Sequence, residues 1–323
     1  MRFASLRDGS RDGALVLVDA RHERCVSTAA IVGTLQEALD IWAECLPQFD
    51  ALQDRLERDQ VPSQPFDPQL CGAPLPRAYE WIDASTYLNH VELARRSRGA
   101  ALPPDLQTSP LVYQGGSSVL SGPTEPLRLL DASFGLDFEA ELAVVLSDVP
   151  LGTNAHSARD RIQLMMLAND VTYRNLVPGE LEKGFGFFQS KPATAFSPLA
   201  VTPDELGSAF RDSRAFLTLR CELNGERVGE LQTGPEMHFS FAELIAHISR
   251  TRAFCAGTIL GSGTISNRDA TRGVACLVER RMRERLESGQ AVTPYLKTGD
   301  RVLIRAFAAD GKDVFGQIDQ TVI

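Results

Sequence analysis

The stretch Gly135–Leu146, "GLDFEAELAVVL", decides how this chain is read. Alternate residues of a β-strand face the same side of a sheet. Glu139, Glu141, Ala143 and Val145 therefore share one face, and Phe138, Ala140, Leu142, Val144 and Leu146 share the other. Two carboxylates on a face that turns apolar at the next step repel each other and raise each other's pKa. A divalent cation removes that conflict, because Mg²⁺ and Ca²⁺ take oxygen ligands and are held by acids converging from separate elements. A solvated strand face is the other reading of the same pair, and ExE alone does not separate the two.

The chain has 323 residues, 43% hydrophobic and 23% charged, enough to bury a large core. This length suggests about two domains. A net charge of −9 argues against nucleic acid or an anionic membrane surface as a main partner. No apolar run approaches the roughly 20 residues of a membrane span. The start, "MRFASLRDGSRDG", lacks the apolar core of a signal peptide, so a cytoplasmic protein is expected. Six cysteines lie scattered without a CxxC pair, which reads as reduced thiols, with neither a zinc site nor a disulfide framework indicated.

Around the opening stretch, the chain divides into residues 1–75, a small β-plus-helix domain with a proline-rich linker, and 76–323, a larger β-rich domain with a few helices. Asp8-Gly9 and Asp12-Gly13 bracket β-like runs. Leu35, Leu39, Trp42, Leu46, Phe49, Leu52 and Leu56 recur at helical spacing, with Pro47 as the expected break. "DASTYLNHVELARRSRGA" reads as a helix capped by Asp83 or Ser85, and "HSARDRIQLMMLAND" as a helix running into a turn at Asn169-Asp170. Asn224-Gly225 and Asp310-Gly311 mark hairpins. "SFAELIAHISRTRAFCAGTILGSGTIS" reads as a short helix, then a strand ending in a glycine loop.

Asp83 and His90 are seven residues apart, so on one helix they share a face about 10 Å apart along the axis. An N-cap aspartate and a surface histidine explain the pair equally well. Asp170 and Arg174 read as a helix end with an i,i+4 pair. Lys191, among aromatic and small residues, is either a snorkelling surface group or a charge aimed into a pocket. The glycines of "GSGTIS" let backbone approach a ligand closely. Glu279, on a charge-rich helix, reads on pattern alone as a solvated face residue.

Taken in order, Asp83-x6-His90, "YQGGSS", "DFEAELA", "NDVTYR", "FQSKPATAFSP" and "GSGTISN" resemble the fumarylacetoacetate hydrolase family from about residue 75 to the C-terminus. The resemblance implies an α+β, mostly β fold, a fumarylacetoacetase-type mixed β-sandwich roll behind a small N-terminal domain. It implies a metal held by Asp83, Glu139, Glu141 and Asp170, with Mg²⁺ first and Mn²⁺ or Ca²⁺ as alternatives. It further implies His90 as general base, Glu279 orienting it, Arg174 and Lys191 beside the reacting carbonyl, and Tyr113 and Thr264 binding substrate oxygens. The expected partner is a small diketo acid such as fumarylacetoacetate or another acylpyruvate, cleaved at a carbon–carbon bond. A hydratase, decarboxylase or tautomerase of 2-oxo acids on the same metal site is the alternative.

The resemblance also implies a homodimer, and the Gly115-Gly116 loop reads as a lid. Three positions depart from the family's eukaryotic hydrolases: Val177 for a glutamine, Ser85 for a tyrosine and Gln114 for a histidine. These changes bear on the substrate rather than on the metal site.

Overall fold

The run Ala140–Leu146 is a seven-residue strand with every residue buried, so neither face meets water. Its two faces feed two different cores. Ala140, Leu142, Val144 and Leu146 pack with Phe138, Phe241 and Ile304 on one side. Ala143 and Val145 pack with Phe3, Phe49, Trp81 and Ile259 on the other. The alternation seen in the sequence is thus a strand sandwiched between two apolar layers, with Glu141 at the end of one of them.

The computed structural model describes residues 1–97, 99 and 101–323. Around Ala140–Leu146 runs a large mixed sheet. Ile162–Asn169 pairs antiparallel on one side, with Ala140 opposite Asn169. Ile259–Gly261 pairs antiparallel on the other and lies parallel to Trp81–Ala84. Arg2–Leu6 hydrogen-bonds to Ala200–Val201, so the N-terminal strands extend this same sheet. A separate four-stranded sheet holds Thr218–Leu223, Glu226–Gln232, Arg301–Phe307 and Ile318–Thr321. The architecture is mixed α+β with strands dominant. Among the described residues, no helix is long and apolar enough to cross a membrane.

Several local expectations are met. The hairpin through Asn224-Gly225 closes with Leu223 opposite Glu226, both turn residues at positive φ, as a two-residue I′ turn requires. The short helix Phe241–Ile248 precedes the strand Ile259–Gly261. Phe307 bridges Asp313 across Asp310-Gly311.

Other expectations are corrected. Residues 162–169 form a strand, not a helix, after an α turn at Ala155–Ala158 and a 3-10 turn at Arg159–Arg161. An apolar run buried on both faces carries no period to distinguish the two. Pro47 lies inside the helix Trp42–Glu57, and the break comes earlier, at Ile41. Asp83 stands on the strand Trp81–Ala84, and the helix begins only at Leu88. The one-face helical argument for Asp83 and His90 therefore fails. Of the Gly115-Gly116 pair, Gly115 ends the strand Val112–Gly115, where a Cβ would sit 2.1 Å from Trp81 Cδ1, and only Gly116 lies in the loop.

Candidate functional site

Three strands deliver three acids to one point. Asp83 comes from Trp81–Ala84, Glu141 from Ala140–Leu146, and Asp170 from the residue after Ile162–Asn169. Each offers a carboxylate oxygen, and these oxygens lie within 4.8 Å of one another, all buried. The glycine loop makes the convergence possible from behind. A Cβ on Gly261 would lie 2.3 Å from Asp83 Oδ1, and the Gly263 amide donates to that same oxygen at 3.0 Å. The loop glycines thus admit the Asp83 strand.

The electrostatics of this cup are unbalanced. Both oxygens of Glu141 are buried and have no hydrogen-bond partner among the described residues. Burial, then the charges of Asp83 and Asp170, push the Glu141 carboxyl well above the usual range. Burial, then Asp170, pushes Asp83 up to about 8. An unpartnered buried carboxylate is costly unless a cation meets it. An all-oxygen donor set suits a hard divalent ion. The residues present fit such an ion.

Glu139, the fourth expected ligand, stands outside the three-acid cluster, and its carboxylate meets cations of the chain itself. Arg174 donates to Oε1 at 2.6 Å, and the Lys191 ammonium meets Oε2. Burial works to raise its pKa, but Arg174 and Lys191 outweigh it and hold Glu139 well below the ordinary range. Lys191 also reaches Asp170, which accepts from Tyr113 Oη at 2.6 Å and from Thr194 Oγ1 at 2.9 Å. Of the two sequence readings of Lys191, the inward one holds: burial opposes its charge, yet Asp170 and Glu139 keep its pKa raised.

His90 enters from the helix Leu88–Arg96 and Glu279 from Leu277–Ser288. His90 Nδ1 lies 3.3 Å from Glu279 Oε2, while Arg283 holds Oε1 at 2.5 Å. Glu279 is fully buried, contrary to the solvated-face reading of its charge-rich helix. A carboxylate on Nδ1 favours the tautomer with hydrogen there, leaving Nε2 as the acceptor.

A cleft of about 130 Å³ collects these groups. Asp83, His90, Tyr113, Glu139, Arg174, Lys191 and Thr264 all line it. Ser85 and Val177, two of the three departures, line it too, whereas Gln114 turns outward to Glu80 at 2.9 Å.

Residues 81–323 match the family described as Fumarylacetoacetate (FAA) hydrolase C-terminal. The chain belongs to the fumarylacetoacetate hydrolase family. Residues 1–77 match Fumarylacetoacetase N-terminal domain 2. A relative from Sphingomonas sp. (strain SKA58), 2,4-didehydro-3-deoxy-L-rhamnonate hydrolase, is 29% identical over 164 residues, 49% of this chain and 54% of that protein. Oxaloacetate tautomerase fahd2, mitochondrial, from Xenopus laevis is 28% identical over 159 residues, 48% of this chain and 47% of the relative. The matched region thus spans about half the length of these curated relatives. Maleylpyruvate hydrolase from Sphingobium sp. SYK-6, solved with manganese(II) and pyruvate, has the same fold: TM-score 0.66, 17% identity, covering 100% of this chain and 99% of that one.

One buried acid of this fumarylacetoacetate hydrolase family chain escaped the sequence reading. Asp137 accepts from Arg174 Nε at 2.8 Å and from the Leu277 and Val278 amides at 2.8 and 2.9 Å. It therefore caps the Glu279 helix and holds Arg174 at once. Its only sequence signal was position, two residues before Glu139 in the opening stretch.

Proposed function

We propose that this protein hydrolyses the carbon–carbon bond of an acylpyruvate or related 1,3-diketo acid with the help of a divalent cation. What carries this reading is one cleft lined both by His90, which Glu279 holds, and by Asp83 of the three-acid cluster with Glu141 and Asp170. The resemblance of the fold to a hydrolase solved with manganese and pyruvate supports it.

Asp83, Glu141 and Asp170 would hold the cation, with Glu139 beside them and kept by Arg174 and Lys191. A divalent ion there supplies Lewis-acid polarisation of substrate oxygens and an orienting template. His90 Nε2 takes a proton from water, which adds to the distal carbonyl. Glu279 stabilises the imidazolium and fixes the ring, and Arg283 fixes Glu279. The bond between that carbonyl and the methylene then breaks, and its electron pair and a proton pass to the methylene carbon. One carboxylic acid and pyruvate result. Lys191 and Arg174 offset negative charge at this end of the cleft, and Thr264 offers its hydroxyl to the substrate.

Turnover of a panel of acylpyruvates with Mg²⁺ or Mn²⁺, followed by loss of the enol absorbance, tests the reading. Tautomerisation of a 2-oxo acid is the second reading, supported by the Xenopus relative. It would convert substrate without change in mass.

A further inference from the structure

Cys276 is a fully buried thiol that the proposed chemistry does not use. It occupies the N-cap position of the helix Leu277–Ser288, whose first amides Asp137 holds, and Glu279 is the third residue of that helix. His90 comes from Leu88–Arg96, which packs against this helix. The Cys276 sulfur, a His90 ring nitrogen and a Glu279 oxygen lie within 4.8 Å of one another.

We propose that Cys276, His90 and Glu279 form a second cation site, selective for Zn²⁺, whose occupation silences His90. The donor set decides the metal. Thiolate and imidazole favour Zn²⁺, whereas the all-oxygen cup of Asp83, Glu141 and Asp170 favours harder ions. Zinc–ligand lengths of about 2.0–2.3 Å put ligand atoms of a tetrahedral site about 3.3–3.8 Å apart. His90 Nδ1 and Glu279 Oε2 already stand at 3.3 Å, within that range. Arg283 holds the other Glu279 oxygen and leaves Oε2 for the metal, the kind of outer partner that orients a ligand.

The chemistry of binding explains the silencing. Coordination at Nδ1 displaces its hydrogen bond to Glu279 and moves that proton to Nε2. The Cys276 thiol proton leaves to solvent. Nε2 then carries hydrogen and has no lone pair with which to accept a proton from water. The binding site stands independently of the proposed hydrolysis, and the loss of turnover rests on that reading. The scattered cysteines gave no zinc signal because these ligands come from two helices almost 190 residues apart in sequence.

Cobalt(II) is the probe, because a cobalt–thiolate bond absorbs in the near ultraviolet and a cobalt–carboxylate bond does not. The full chain carries C255S, which removes the one exposed cysteine, and excess Mg²⁺ occupies the oxygen cup. One equivalent of Co²⁺ is expected to give the thiolate absorption, Zn²⁺ to displace it, and H90Q or C276S to abolish it. Having two separate variants keeps the result readable if one folds poorly. Zn²⁺ is expected to lower turnover at least tenfold in the C255S protein, with recovery on chelation. Absence of the absorption, or its persistence in a folded C276S protein, overturns the site. A thiolate band with full turnover at saturating Zn²⁺ leaves the site standing and overturns the silencing, and with it His90 as the base.

Discussion

Asp137 grips Arg174 through Nε at 2.8 Å while its two oxygens cap the helix that carries Glu279. The cation that binds Glu139 and the acid that binds His90 are thereby fixed to one buried carboxylate. Breaking a buried ion pair by removing one charge costs about 3–5 kcal/mol. Asp137→Asn is expected to lower Tm clearly and to cut kcat at least tenfold. Calorimetric unfolding and steady-state kinetics check both. A variant with wild-type Tm and kcat would show that the contact positions nothing.

The His90–Glu279 pair predicts a graded loss. His90→Ala removes the base and is expected to cost about two or more orders of magnitude in kcat, the scale for a missing general base. Glu279→Gln keeps the ring but loses the charge that stabilises imidazolium, so its loss should be smaller, with KM little changed. Single-turnover rates for the two variants check the order. Unchanged turnover in His90→Ala removes His90 from the role.

Glu141 is buried with neither oxygen partnered. Burial and the charges of Asp83 and Asp170 favour the neutral Glu141 carboxyl when metal is absent. Glu141→Gln, neutral and nearly the same shape, is therefore expected to unfold no lower when chelated than chelated wild type. A ligand that binds only the folded state stabilises it by RT ln(1 + [L]/Kd). Mn²⁺ should raise the wild-type Tm and leave the variant's unmoved. Protons compete for the same oxygens, so the wild-type gain should shrink as pH falls. An equal Mn²⁺ shift in the variant contradicts the ligand assignment.

Ser85 and Val177 line the cleft without joining the acid cluster. Val177→Gln adds a donor to the substrate wall and is expected to change KM ratios across acylpyruvates by about tenfold, the scale of one polar contact. Mn²⁺ affinity should stay as in wild type. Loss of metal binding in this variant would place Val177 nearer the cation than the cleft geometry does.

Particular residues show what the sequence could and could not disclose. The two-faced alternation holds over 140–146, because a strand's side chains must alternate whatever covers them, whereas residues 138 and 139 lie between two strands. The turn at Asn224-Gly225 was legible because few dipeptides accept two positive φ angles in succession. The strand Ile162–Asn169 reads as a helix in the sequence because burial on both faces erases periodicity. Asp83 and His90 come together by a strand leading into a helix, a geometry that spacing along one helix cannot express. Glu279 looked solvated because its burial depends on packing against a helix far away in sequence. Asp137 was silent for the same reason: its partners are two amides 140 and 141 residues downstream and an arginine 37 residues on.

The central claim is that water, activated beside a divalent ion, splits a carbon–carbon bond. Turnover of an acylpyruvate in ¹⁸O-labelled water with Mn²⁺, read by mass spectrometry, tests it most directly. Hydrolysis is expected to leave one labelled oxygen in the carboxylic acid released, with pyruvate as co-product, and neither product when the metal is chelated. Conversion that leaves the substrate's mass unchanged, or that releases carbon dioxide without a labelled acid, would contradict it.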